Sequence, residues 1–157
     1  MKPIVVIGIG SRLMMDDGIG INVVEALAKQ MSKDQWVDYE VGETDLEYCL
    51  ERMIGAEFLI VVDAAFTGKK TGEVSVIPLS EIVTIHPGIS QHNLHVLEIL
   101  RTLDEEKKGV MIGIEPFQID FHLGLSSELN EIFDQVVCEV KDTIEVIKTS
   151  IIENIKI

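Results

Sequence analysis

The chain has 157 residues, close to the usual size of one domain, and its 46% hydrophobic content is enough to close a core without disulfide or metal staples. Twenty-seven acidic residues against 13 basic ones give a formal net charge of -14. That charge repels phosphate backbones and anionic lipid, so it argues against nucleic acid or a membrane surface as partner and favours a cation or a basic protein segment.

The first eight residues, Met1 to Gly8, hold too short an apolar run for a signal peptide or membrane span, and no cleavage pattern follows. A cytoplasmic protein is expected. Ile4-Val5-Val6-Ile7 is a branched apolar run bounded by glycine, which predicts a strand buried on both faces. A glycine-punctuated loop leads to Ile21–Met31, where Val23, Val24, Leu27 and Met31 recur at helical spacing. Trp36–Val41 predicts a second strand, and Thr44 or Asp45 can cap a helix that begins before Leu46, Leu50 and Met53. Phe58 to Asp63 is another apolar strand, ending on a charge.

Gly72 to Leu79 alternates polar and apolar residues and reads as an edge strand, with Pro78 limiting its pairing. Asn93 to Leu103 has the pattern of a helix, and the mixed-sign run Asp104 to Lys108 that of a solvated turn. Val110 to Glu115 repeats the pattern of an apolar strand closed by an acid, before Pro116 breaks the chain. From Ser127 to Ile151 the apolar positions predict one long amphipathic helix. Cys49 and Cys138 both fall in helical patterns, where a free cysteine behaves as a small buried apolar residue.

Strands alternating with helices predict a single three-layer α/β domain spanning residues 1–157, with a mostly parallel twisted sheet covered by helices on both faces. Ligands of such sheets sit at the carboxyl ends of the strands. Three acids lie there: Asp17 across the first loop, Asp63 and Glu115. Each has a plainer role open to it. Asp16-Asp17-Gly18 taken alone fits turn and helix-cap chemistry, and Glu115 a carboxylate satisfied by backbone amides.

Asp63 ends its strand as the magnesium-positioning acid of a phosphate-loop NTPase does, yet no phosphate loop accompanies it: Gly68-Lys69-Lys70-Thr71 lacks the spacing. Gly8-Ile9-Gly10 begins a dinucleotide fingerprint, but Leu13 stands where the third glycine belongs, and Asp16 and Asp17 would repel a pyrophosphate. Nucleotide binding therefore ranks second. Of His86, His92, His95 and His122, His92 in Ser90-Gln91-His92-Asn93 precedes a predicted helix; with two carboxylates, one imidazole suits a nickel or zinc ion with open coordination positions.

Together these strings resemble the maturation endopeptidases of nickel–iron hydrogenases. Gly8 through Gly20 is similar to their opening signature, Phe58 to Ala64 to their acidic strand end, and Ser90-Gln91-His92 to their histidine segment. Gly113-Ile114-Glu115-Pro116 with Gly124-Leu125-Ser126 resembles their closing signature. Carried over by position, the resemblance implies catalytic and metal-contacting roles for Asp17, Asp63 and His92. It also implies an enzyme that reads nickel already installed in the precursor of the hydrogenase large subunit and removes a carboxyl-terminal peptide. Nickel would arrive with the substrate; zinc or another divalent cation could replace it in vitro.

Two places depart from the family pattern: Ser11 replaces the usual Asn, and Glu43 the second of two glycines. Asp at position 17 is also a shorter arm than Glu. The alternative is a noncatalytic α/β module that binds a nucleotide or a metallochaperone through the same edge.

Overall fold

A computed structural model describes residues 2–82 and 107–155. Its elements are β1 (Ile4–Ile9), a 3-10 turn (Met15–Gly18), α1 (Ile19–Gln30), β2 (Val37–Glu43), α2 (Leu46–Ile54) and β3 (Phe58–Ala64). They continue with β4 (Val74–Pro78), a 3-10 turn (Leu79–Glu81), β5 (Gly109–Ile114), α3 (Ser127–Glu131) and α4 (Phe133–Ile155). The expected helix over 93–103 lies outside the described residues, as do His86, His92 and His95. No described helix is long and apolar enough to cross a membrane.

The five strands form one sheet in the order β2-β1-β3-β5-β4. β1 pairs in parallel with β2 and β3, and β3 with β5; β4 runs antiparallel along the outer side of β5. This is the expected mostly parallel sheet, with the alternating strand at its edge. Pro78, which has no amide hydrogen to offer a ladder, is its last residue.

Strand alternation divides the core in two, as the period-2 geometry of a strand requires. Ile4 and Val6 of β1, with Ile60 and Val62 of β3, pack on one face beneath Val23, Val24 and Leu27 of α1 and Val136, Val140 and Ile144 of α4. Val5, Ile7, Leu59 and Val61 pack on the other, under Cys49 and Met53 of α2. Both faces are thus covered by helix. Asp45 starts α2 by accepting a hydrogen bond from the Tyr48 amide at 3.0 Å.

Two expectations are corrected. The single helix from Ser127 is two, separated at Ile132 (φ -107°, ψ 11°). Leu129, Ile132, Phe133 and Val136 keep helical spacing across the break, so periodicity does not register it. The Ile132 side chain seats on Gly72, where an added Cβ would lie 2.4 Å from Ile132 Cδ1. Cys138 is also exposed, whereas Cys49 is buried as expected.

Candidate active site

The chain leaves β1 for β2 on one side and later places β3 on the other, so the order reverses between β1 and β3. The carboxyl ends at such a reversal open into a crevice, because the connecting segments diverge to opposite faces. Asp17 lies in the loop that follows β1, and Asp63 is the next-to-last residue of β3. Both are buried, at 3% and 0% exposure. The 3-10 turn carrying Asp17 contacts β3.

Two glycines permit this approach. At Gly10 (φ +132°) an added Cβ would stand 2.1 Å from the Asp17 carbonyl oxygen, so the loop closes on itself only without a side chain there. At Gly20, in the first turn of α1, it would meet the Val62 carbonyl oxygen at 2.2 Å and Asp63 Cα at 2.9 Å. The start of α1 therefore rests directly on the end of β3.

The acidic pair does not act as a helix cap. No side-chain cap bond forms at Met14 or Gly18. Asp17 Oδ2 instead accepts the Ser11 amide at 2.8 Å, and Asp63 Oδ1 accepts the Ala64 amide at 2.7 Å. These bonds orient the carboxylates from within the first loop and from the end of β3.

Asp16, fully buried, does something the sequence reading missed. Its Oδ2 accepts the amides of Phe117 (2.9 Å) and Gln118 (3.0 Å) and the Ser126 hydroxyl (2.7 Å), while Oδ1 accepts the Ser126 amide (2.7 Å). The Ser126 hydroxyl oxygen in turn accepts the Leu129 amide, which caps α3. One carboxylate thus ties the first loop to the segment after β5. Backbone bonds run alongside, from Met15 N–H to the His122 carbonyl and from His122 N–H to the Leu13 carbonyl, both 2.9 Å. The neighbouring Asp-Asp and Ser126 in the closing signature were the only signals in the sequence.

Glu115 takes the plainer of its two roles. Its carboxylate accepts the Thr67 amide (2.8 Å), the Thr67 hydroxyl (2.7 Å) and the Gly68 amide (3.2 Å), fixing the loop that leaves β3.

The departure at Glu43 has a structural counterpart. Glu43 has φ +51°, a left-handed conformation that favours glycine and costs a larger residue on the order of 1 kcal/mol. Its carbonyl accepts the Gly10 amide at 3.1 Å, and its Oε1 accepts from Arg12 Nε at 2.9 Å. Arg12 also donates through Nη2 to Glu25 Oε2 (2.6 Å) and through Nη1 to Asn22 Oδ1 (3.2 Å). That bond to Arg12, ahead of the burial that opposes it, holds the Glu25 carboxyl below its ordinary range.

Around this edge stand exposed apolar side chains: Leu13, Phe66, Phe117, Phe121 and Leu123, the last two at 80% and 73% exposure. Among the described residues no three of His, Cys, Asp and Glu gather as a metal-holding group. The described residues supply two of the three expected members, Asp17 and Asp63; the third, His92, lies outside them.

The family model for hydrogenase maturation proteases matches residues 21–143. The chain belongs to that family. Among curated members, it is 27% identical over 143 residues to the hydrogenase 2 maturation protease of Escherichia coli, covering 87% of each chain. It is 31% identical over 124 residues to the hydrogenase expression/formation protein HupD of Thiocapsa roseopersicina, covering 74% of this chain and 56% of HupD. Among solved structures, an Escherichia coli endopeptidase solved in solution matches with TM-score 0.70 and 28% identity, over 89% of this chain and 90% of that one. The hydrogenase-maturating endopeptidase HybD of Escherichia coli has the same fold, with TM-score 0.70 over 92% of this chain and 93% of its own at 24% identity.

This hydrogenase maturation protease is therefore an endopeptidase. The segment from Gly8 to Gly20 builds the crevice side of α1, and the segment from Phe117 to Ser126 is what Asp16 holds against it.

Proposed function

We propose that this endopeptidase removes a carboxyl-terminal peptide from the nickel-loaded precursor of a nickel–iron hydrogenase large subunit in the cytoplasm, and that Asp17, Asp63 and His92 contact the nickel that the precursor carries. The observation that carries the reading is the pair of buried carboxylates flanking the β1–β3 reversal, each oriented by a backbone amide. Two carboxylates and an imidazole leave positions open on a divalent ion for the ligands the substrate already supplies. The exposed apolar rim offers a surface for an extended segment of the precursor lying across the crevice.

The nucleotide-binding alternative loses support at the same loop. Ser11 N–H, an amide that a pyrophosphate would need, already donates to Asp17, and the Arg12 guanidinium is engaged by Glu25, Glu43 and Asn22. The test is to incubate the purified chain with nickel-loaded and nickel-free precursor and to read intact masses. The loaded form should lose its carboxyl-terminal peptide and the nickel-free form should persist. Equal cleavage of both would overturn the nickel reading, and cleavage of neither the substrate.

A further inference from the structure

The Arg12 side chain joins the first loop to two elements, β2 and α1. It reaches the end of β2 through Glu43 and two points of α1 through Asn22 and Glu25. Its main chain lies under the acidic turn: a Cβ added at Gly18 would stand 3.3 Å from both Arg12 Cα and the Ser11 carbonyl oxygen. The residue before it, Ser11, gives its amide to Asp17 Oδ2. The Gly10–Ser11 peptide whose N–H aims the Asp17 carboxylate is thus held from both sides, by the Gly10 amide on the Glu43 carbonyl and by Arg12 one residue on.

Glu43 completes the arrangement from outside the loop. It holds Gly10 with its carbonyl and Arg12 with its carboxylate, and it does so at φ +51°, a conformation glycine would adopt without strain. A glycine there would keep the carbonyl bond and lose the carboxylate. The chain keeps the strained residue, and what the strained residue adds is the bond to Arg12.

We infer that Arg12, braced by Glu43, is a positioning residue for Asp17: through the Ser11 amide it sets the direction of a carboxylate that contacts the substrate-borne metal. This rests on the reading of Asp17 given above. A guanidinium presents a rigid fork that can bond to several acceptors at once, which an ammonium on a flexible stem cannot reproduce. A misdirected carboxylate slows the chemical step more than it weakens docking, because small errors of placement at the reacting centre are felt chiefly in the rate.

The experiment compares Arg12→Met, Glu43→Gly, Glu43→Gln and Asp17→Ala in the full chain, with kcat and KM measured on nickel-loaded precursor and thermal melting recorded beside them. Arg12→Met and Glu43→Gly should lower kcat by about ten- to a hundredfold with KM within about twofold of the parent. Glu43→Gly should melt no lower than the parent, since it removes backbone strain, so its loss of rate cannot be assigned to unfolding. Glu43→Gln keeps an acceptor for Arg12 Nε and should recover most of the rate.

Asp17→Ala separates the two layers of the argument. If Asp17→Ala is inactive while Glu43→Gly and Arg12→Met turn over at the parent kcat, the positioning role is wrong and the Asp17 assignment stands. A rise in KM alone would make Arg12 a docking contact and would equally overturn the inference. If Asp17→Ala processes at the parent rate, the reading of Asp17 fails first.

Discussion

Asp16→Ala separates the two adjacent acids. Asp16 accepts four hydrogen bonds, two of them from Ser126, which is itself buried, and two from the amides of Phe117 and Gln118, whose residues are exposed. Truncation lets water reach the Phe117 and Gln118 amides, so those two are replaced at little net cost. The Ser126 pair has no such substitute. At about 1.5–3 kcal/mol for each hydrogen bond to a charged acceptor, losing that pair costs about 3–6 kcal/mol. In a domain of this size the melting temperature should fall by roughly 10 °C.

The assay is urea denaturation followed by circular dichroism, with hydrogen exchange read at the amides of Phe117, Gln118 and Ser126. Their protection should fall further than that of the β3 amides, because the segment after β5 is released before the sheet opens. An Asp16→Ala protein within about 1 kcal/mol of the parent, with unchanged protection at these amides, would refute the clamp.

Val61→Ala, at a fully buried position in the core beneath α2, should cost about 1–3 kcal/mol by lost burial and a small cavity, measured by the same urea titration, with activity falling only as the fold does. Asp34 should contribute an acid-sensitive share of stability. Burial raises its carboxyl, but the Lys148 ammonium at 2.9 Å and the amides of Trp36 and Val37 outweigh this and hold it below its ordinary value. A carboxyl depressed in the folded state stabilises the fold fully above its unfolded pKa of about 4 and loses that contribution as pH falls through the lower folded value. Lys148→Met should therefore flatten the acid limb of a stability curve taken from about pH 6 to about pH 2, and an unchanged limb would remove Asp34 from the account. Phe121→Ser and Leu123→Ser, at 80% and 73% exposure, should raise KM for precursor severalfold with melting unchanged; an unchanged KM would show that the rim does not touch substrate.

Much of this was legible because it is local. Branched apolar runs bounded by glycine marked β1 and β3, spacing marked α1 and α2, and polar alternation placed β4 at the sheet edge. The location of Asp17 and Asp63 followed from strand ends alone, since a parallel sheet puts its crevice there whatever the side chains. What escaped depends on pairings distant in sequence. Asp16 reads as a turn residue until its carboxylate is seen to accept from Ser126, 110 positions away. The break at Ile132 leaves the apolar spacing intact, and only the seat on Gly72 reveals it. Glu43 was noticed as a departure from a glycine, but neither its positive φ nor its bond to Arg12 is written in any local pattern.

The central claim is that buried acids at the β1–β3 reversal act with His92 on a nickel-bearing substrate while the acid beside them only holds the fold. It is tested most directly by processing of nickel-loaded precursor, read as intact mass, by Asp17→Ala, Asp63→Ala and His92→Ala, each first checked by thermal melting. The account predicts that all three remain folded, within about 1–2 kcal/mol of the parent because neighbouring carboxylates repel one another while no cation is bound, and that none releases the carboxyl-terminal peptide. Variants that fold normally and still process the precursor at the parent rate, or that unfold as Asp16→Ala does, would contradict it.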